Sequence, residues 1–519
     1  MSGMFEPKAD KASRKLARTQ KEVKEKRKKR IITITVISVL LAFSALAIIS
    51  NSNFIRRTLP VLEIDGVSFT TAEFEYFFNS EYMDYANFLS QFGGTMPDAN
   101  RPLSRQIYDS STGETWAELI VEMTFNKLTH LVTLYNAAQE AGFTLSAEQL
   151  ADIDEEIEMI EFQAMINGFP STDSFLQQMF GSSLNTRVYR EIHTFITTAS
   201  AYNDFIRDSF TYSSGELATF YNENNDDLDV FVYRQFTVLV EQPDEDDDAD
   251  ADAAWLEAIN DAHFLALAIA EGIETEDEFL DAAFMYNSEL YWDPDSTLRM
   301  TQGERLEFEV EDWLLDESRV IGDVTILEAE QGTHVMMFIL RDDNSYRTAG
   351  MRQILISREQ IDPEDFPLGV DDPDFLEAFE QAEIDLHVRA EQVESLFMAA
   401  GATEEALISL MEEHSDDTTE GGLYLDIAKF PYQSAHTWIM KVVPEIEEWL
   451  FDEDRAVGDI ELIYTNNFGY HLIYFPGFGD PFFELIADDR MRTRDHNEWL
   501  NDLTPGEPQK RTAFIFVSI

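Results

Sequence analysis

Nine histidines and no cysteine bound the chemistry open to this 519-residue chain. Without cysteine there is no disulfide, no thiolate nucleophile and no cysteine-ligated metal. The histidines are scattered, and neither a G-x-S-x-G elbow nor an H-E-x-x-H zinc helix occurs, so a hydrolase built on either finds no support. Two histidines share one setting: Gly332-Thr333-His334 and Gly469-Tyr470-His471 each open an apolar run. For His471 two readings stand, a chemical role and a structural hydrogen bond across a sheet. A second pattern is acidic. Asp246, Asp248, Asp250, Asp252 and Glu257 match calcium-loop positions 1, 3, 5, 7 and 12, but Ala251 holds position 6, where the turn needs glycine. A solvated acidic insertion is the expectation, with no metal and no cofactor.

The two histidines belong to a duplicated unit. EVEDWLLDESRVIGDV from Glu309 aligns 136 places on with EIEEWLFDEDRAVGDI from Glu445, identical at nine of sixteen positions. Trp313 falls on Trp449, Arg319 on Arg455 and Gly322 on Gly458; upstream, YRQFTVLV from Tyr233 echoes MRQILIS from Met351. A long period seen twice means two copies of a folded module rather than a solenoid. Each copy reads as an opening strand, a charged helical region, a short amphipathic helix (Ile446, Trp449 and Leu450 in the second) ended near Gly458, and a strand, turn and strand about Asn466-Asn467. Strands at both ends with helices between make an α+β module.

The second copy resembles a parvulin-type peptidyl-prolyl isomerase. The matching residues are MRQILIS, HSDDTTEGGLYLDIAKF from His414, VVPEIEEWLF from Val442 and FGYHLIYF from Phe468. In that family an apolar shelf receives a proline ring, and two histidines with a Cys or Asp form a polar cluster near the carbonyl. Turnover of an X-Pro bond takes tens to hundreds of seconds unaided, and catalysing it needs no nucleophile, metal or cofactor. The resemblance implies catalytic roles for His471, which matches the last-strand histidine, and Asp417, which matches the Cys/Asp position. Gln353 stands where the opening strand usually has histidine, the main departure. Val442, Val443, Ile446 and Phe468 are the implied substrate-binding residues, Val442 and Ile446 standing for the usual Met and Phe. A bland alternative for Asp417 is a loop-capping carboxylate beside Thr418. The first copy keeps Gln235 and His334 but has nothing recognisable at the Asp417 or Gly421-Gly422 positions. It resembles a degenerate parvulin domain and is expected to be inactive.

Charge separates the N-terminus from the rest. Residues 1–30 carry twelve Lys/Arg against four Asp/Glu and precede IITITVISVLLAFSALAII at 31–49, long enough for a membrane span. The expectation is a basic cytoplasmic segment, a transmembrane anchor and an extracytoplasmic remainder, giving a single-pass cell-membrane protein. A cleaved signal peptide, with Ala45-Leu46-Ala47 as its site, is the rival. The remainder has a net charge near −71 within a whole-chain charge of −63, which excludes nucleic acid as a partner.

From Leu59 to about Asn225, VLEIDGVSFTTAEFEYFF reads as a strand, a turn at Asp65-Gly66 and a helix with Thr71 as its cap, followed by helices across Trp116–Ala141, from Ser146, through STDSFLQQMF and from Asn185. The order resembles the N-terminal chaperone domain of the SurA, PrsA and PpiD foldases. Phe74, Phe77, Phe78 and Phe88 are expected in its core, while Met159, Met165 and Met179 suit a core or an adaptable client surface equally. The C-terminal helix in that resemblance returns to this domain, and the final strand RTAFIFVSI is expected to pair, with VLEIDG as candidate.

The expected fold class is thus α+β multidomain: a transmembrane helix at 31–49, a mostly helical SurA-like chaperone domain at 59–225, a degenerate parvulin-like domain at 230–343, a parvulin-like isomerase domain at 350–478 and a returning helix and strand at 480–519. Two functions compete. One is a peptidyl-prolyl cis-trans isomerase and chaperone acting on unfolded or newly exported polypeptides, held to the membrane by its N-terminal helix. The other is a non-catalytic holdase or assembly scaffold built on inactive parvulin-like folds.

Overall fold

The computed structural model describes residues 53–511 except 99, 241–250, 359, 364–365 and 430–441, with isolated positions between 28 and 38. The chain forms two compact units, Met1–Phe210 with Arg494–Ile519, and Thr211–Thr493. One expectation is corrected at once. No helix among the described residues is long and apolar enough to cross a membrane, so the described fold is a mixed helix-and-sheet multidomain one and the transmembrane helix is not supported. The described positions between 28 and 38 are helical but isolated, too few to make an apolar helix of spanning length among the described residues. Most of 31–49 lies outside the described residues, as do Asp246, Asp248 and Asp250 of the acidic run, and no group of metal-ligating side chains occurs among the described residues.

In the first unit, β1 (Pro60–Ile64) and β2 (Val67–Thr70) form a hairpin over Asp65 and Gly66. Their φ angles of 43° and 81° give the left-handed two-residue turn that an Asp-Gly pair accommodates. Helix α1 (Thr71–Gln91) starts directly off β2, so Thr70 rather than Thr71 is its cap, in a reciprocal box with Glu73. Helices α2 (Trp116–Glu140), α3 (Ala147–Ile166), α4 (Thr172–Phe180) and α5 (Thr186–Ser209) open on the side chains of Thr115, Ser146, Ser171 and Asn185. Phe74, Phe77 and Phe78 fill the core with Ile120, Leu128 and Ile192. Phe88 does not; it is 53% exposed, and Met159, Met165 and Met179 are exposed too. The closing strand Gln509–Lys510 pairs antiparallel with β1, Leu62 opposite Lys510, and Trp499, Leu500 and Leu503 pack on the same core. The FIFVSI that follows lies outside the described residues.

The second unit contains two sheets of one design. In the first, β3 (Val230–Leu239), β4 (Leu298–Gln302), β5 (Val324–Ala329) and β6 (Gly332–Asp342) stand in the order β4-β3-β6-β5. In the second, β7 (Arg347–Ser357), β8 (Leu423–Ile427), β9 (Ile460–Thr465) and β10 (Gly469–Tyr474) stand as β8-β7-β10-β9, with a further strand Phe478–Pro481 on β7. Registers coincide as well: Thr237 pairs His334 and Gln235 pairs Met336, just as Leu355 pairs His471 and Gln353 pairs Ile473.

The duplication extends to single contacts. Arg234 reaches Glu276 at 2.6 Å and the Pro294 carbonyl at 2.7 Å; Arg352 reaches Glu404 at 2.5 Å and the Gly421 carbonyl at 2.6 Å. Each arginine thereby pins the loop entering its edge strand to the sheet. The Arg319 guanidinium lies over Trp313 at 5.0 Å, and that of Arg455 over Trp449 at 3.8 Å. Gly458 lies beyond the short helix Pro444–Leu450 rather than at its end, in a turn with φ 95°.

Candidate functional site

Alternation along β7 divides the second sheet's two faces. Ile354 and Ile356 point to one face, where Leu386, Val393 and Phe397 of helix α6 (Pro373–Ala399) and Leu407 and Met411 of helix α7 (Glu404–His414) cover them. Met351, Gln353 and Leu355 point to the other. There they line a pocket of about 240 Å³ with Asp417, Tyr424, Val442, Val443, Ile446, Phe468 and His471. All seven residues singled out from the sequence are in that one pocket. Met351, Leu355 and Tyr424 line it too and were missed, although Tyr424 sits inside the quoted GGLYLDI.

The loop after α7 is built to deliver Asp417. Ser415 Oγ accepts the Leu355 N–H at 3.1 Å, the Asp416 N–H donates to the Leu355 carbonyl at 2.8 Å, and Asp416 Oδ2 takes the Ser357 N–H and Oγ–H at 2.8 and 2.7 Å. Arg389 also pairs with Asp416. Two of the three residues in the Ser-Asp-Asp run therefore dock the loop on β7. The third turns into the pocket. Gly421 and Gly422 then reverse the chain at φ 60° and 55°, and a Cβ on Gly422 would lie 2.4 Å from the Gln353 carbonyl oxygen. The Gly-Gly pair is what lets the loop pass so close beneath β7.

Asp417, Gln353, His471 and Thr465 form one hydrogen-bonded chain. Gln353 Nε2 donates to Asp417 Oδ2 at 2.7 Å, and its Oε1 lies 2.8 Å from His471 Nδ1. His471 Nε2 lies 3.0 Å from Thr465 Oγ1. The directions are fixed by the carboxylate. An ionised carboxylate only accepts, so the glutamine presents its NH₂ to Asp417 and its oxygen to the histidine. Nδ1 must then carry the proton, and Nε2 of the neutral ring accepts from Thr465. Burial keeps the ring neutral, pushing its pKa down to about 4 against the smaller opposing pull of Asp417 and Glu445.

Asp417 is held in its charged form. Burial raises its pKa, but the Tyr424 hydroxyl at 2.6 Å, the Thr419 N–H at 2.9 Å and Gln353 together hold it below the ordinary carboxylate range. Thr419 Oγ1 is 2.7 Å from the Tyr424 hydroxyl, which completes the ring of donors. At neutral pH the pocket wall thus carries one fixed negative charge and a neutral, oriented imidazole. The Thr419 bond also shows that Asp417 caps its loop while it faces the pocket, so the two readings of this residue are not exclusive.

The opposite wall is apolar. Val442 and Val443 precede the helix Pro444–Leu450, and Ile446 on it packs with Met351 and Ile473. Phe468, in the β9–β10 turn, stands edge-on to His471 with ring centroids 6.2 Å apart, and is 49% exposed. Gly469 makes that turn fit at φ 112°, since a Cβ there would lie 2.4 Å from the Ile356 carbonyl oxygen.

In the first sheet the same register positions hold different chemistry. Gln235 and His334 are buried, but His334 Nδ1 meets Thr237 Oγ1 at 2.9 Å, on the strand position that Leu355 fills in the second copy. Arg299, opposite Tyr233, stands where Tyr424 stands opposite Met351. In the connecting loop, Asp293 uses its carboxylate to cap the turn at Pro294–Thr297. Burial lowers the His334 pKa as well, so this histidine is a neutral sheet residue.

No family model matches the chain, and no curated protein matches its sequence. Among solved structures it is similar to the peptidylprolyl isomerase PrsA from Bacillus anthracis, at 12% identity over 42% of this chain and 79% of that one, with a TM-score of 0.21. It is likewise similar to PrsA from Bacillus subtilis, at 11% identity over 46% and 78% of the two chains, with a TM-score of 0.15. Likeness at this level leaves the chemistry of the site to its own residues.

Proposed function

We propose that the pocket on the second sheet is a peptidyl-prolyl cis-trans isomerase site and that the protein is a folding factor for unfolded polypeptides. The observation that carries this reading is the chain Asp417–Gln353–His471–Thr465 laid along one side of an apolar pocket. An X-Pro amide is planar because nitrogen donates into the carbonyl, which leaves partial negative charge on oxygen, and rotation must abolish that resonance at a cost of ~18–20 kcal/mol. A pocket that favours the twisted, less dipolar amide over either planar form lowers this barrier. Met351, Val442 and Ile446 offer the ring an apolar seat. The fixed charge of Asp417 opposes negative charge on the amide oxygen, and so opposes the resonance that holds the bond planar. Gln353 and His471 contribute position: each uses both of its polar ends to hold Asp417 and the imidazole still.

Proline-peptide isomerisation by the full chain tests the reading. Asp417→Ala and His471→Ala should each lower kcat/KM, on the order of tenfold or more, in line with ~1.4 kcal/mol per factor of ten. Rates equal to the uncatalysed one in the unaltered protein would refute it.

A second reading, a non-catalytic holdase, is favoured by one observation. Helix α3 exposes Met159, Phe162, Met165 and Ile166 at 57–65%. Adaptable apolar side chains of this kind suit segments of unfolded chain. Aggregation assays with Asp417→Ala separate the activities, because a holdase keeps its protective effect when the isomerase site is disabled.

A further inference from the structure

The helix Ala251–Ala270, which covers the first sheet, keeps small residues inside and large ones outside. Ala262 and Ala266, both buried, pack in one cluster with Phe236 and Val238 of β3 and Val335 of β6. Three large apolar side chains face away: Leu256 is 60% exposed, Phe264 64% and Leu267 40%. Helical spacing sets these three, with Asn260 among them, along one stripe on the side away from Ala262 and Ala266. A helix on a globular core normally buries its large apolar residues. A stripe of them left outside marks a surface that another molecule covers.

Charge selects among the molecules that could cover it. Residues 242–298 include 18 Asp/Glu and no Lys or Arg. Glu257 and Asp261 stand exposed on the outer side of the helix, and Glu328 of β5 lies 3.6 Å from His263 of the same helix. Helices that lie on a membrane carry Lys/Arg on their polar face to meet anionic lipid, whereas carboxylates here are repelled by it. A second copy of the chain would set the same carboxylates against one another, in a molecule of net charge −63. A partner bearing both apolar and cationic side chains matches the stripe and its border together.

We propose that this face of the first copy is a docking surface for a cationic amphipathic segment of another polypeptide, with Lys/Arg bordering large apolar side chains. The proposal is independent of the isomerase reading, because it concerns the copy without the Asp417 loop and is tested by binding alone. Three labelled peptides share one leucine pattern and carry lysine, glutamine or glutamate at the polar positions. Each is titrated with the full chain at low and at high ionic strength. At low ionic strength the lysine peptide should bind about tenfold tighter than the glutamine peptide, and the glutamate peptide weakest. Most of the lysine advantage should vanish at high ionic strength. Phe264→Ser and Leu267→Ser should each weaken the lysine peptide about fivefold, as loss of partly buried apolar area predicts. Both side chains are exposed, so the fold should persist. Glu257→Gln with Asp261→Gln leaves the stripe intact and should lower the lysine-to-glutamine ratio. Ile384→Ser, exposed on α6 in the second copy, should change nothing. Equal affinity for the lysine and glutamate peptides, or equal weakening by Ile384→Ser, would overturn the proposal. So would lysine-peptide binding that survives both Phe264→Ser and Leu267→Ser. Either rival occupant would overturn it as well: a dimer in sedimentation that Phe264→Ser dissociates, or binding to anionic vesicles that Phe264→Ser abolishes.

Discussion

Gln353 decides how the polar cluster is wired. A histidine at this position could donate from either nitrogen, whereas the amide fixes one direction, from glutamine to carboxylate and from imidazole to glutamine. Gln353→Leu leaves the Asp417 carboxylate and the His471 Nδ1–H short of a partner and should cost about 1–3 kcal/mol of stability in urea unfolding. Gln353→His should restore or raise the isomerisation rate. The imidazole makes a second prediction. With a folded pKa of about 4, below its ordinary 6.5, His471 refuses a proton that the unfolded chain binds between those values. Its contribution therefore makes stability fall as pH drops from about 6.5 toward about 4, with no slope above 6.5. His471→Phe should flatten this part of the stability–pH curve, and a histidine titration by NMR should show no protonation of His471 near neutrality. The residues facing the pocket could be read from the sequence because they lie within motifs of fixed order. Tyr424 and Thr465 could not, since their roles come from folding alone: Tyr424 reaches Asp417 across the loop they share, and Thr465 reaches His471 across the β9–β10 hairpin.

At the scale of elements, close approach explains what the motifs spell. Gly422 sits at φ 55° with the Gln353 carbonyl where its Cβ would be, while Gly458 sits at φ 95° with only the Tyr474 hydroxyl within 4 Å, at 3.8 Å. Alanine at Gly458 meets backbone strain alone, about 1–2 kcal/mol. Alanine at Gly422 adds a backbone clash, so its cost should be the larger, and it should displace Asp417 and lower the isomerisation rate. Melting temperatures and rates of the two variants check the contrast. Strands and helices were legible wherever caps and turn residues marked them, as at Asp65-Gly66, Ser146 and Asn185. The cap at Thr70 was missed by one residue because two threonines stand together and only geometry shows which carbonyl ends the strand. The membrane-spanning expectation is not supported for a different reason: it rested on the length of one apolar run, and the described residues hold no helix long and apolar enough to cross a membrane.

At the scale of the molecule, the two sheets share a core. Val230 and Val232 of β3 pack in one cluster with Ala428, Phe482 and Ile486. Phe482 is fully buried and stacks on Tyr346, with ring centroids 5.4 Å apart and its N–H on the Tyr346 carbonyl at 2.8 Å. Phe482→Ala should cost roughly 3–5 kcal/mol. It should loosen both copies together, visible as matched loss of hydrogen-exchange protection in β3 and β7. Charge acts over the same scale. A net charge of −63 repels itself in the folded chain, and salt at ~0.1 M screens beyond about 10 Å, so added salt should raise the melting temperature.

The most direct test is the rate of X-Pro isomerisation by the full chain beside Asp417→Ala, His471→Ala and His334→Ala. The first two substitutions should each depress kcat/KM while the folded state persists, and His334→Ala, in the first sheet, should leave it as it was. Loss of activity in His334→Ala with full activity in His471→Ala would place the site in the wrong copy, and no acceleration by the unaltered protein would contradict the account altogether.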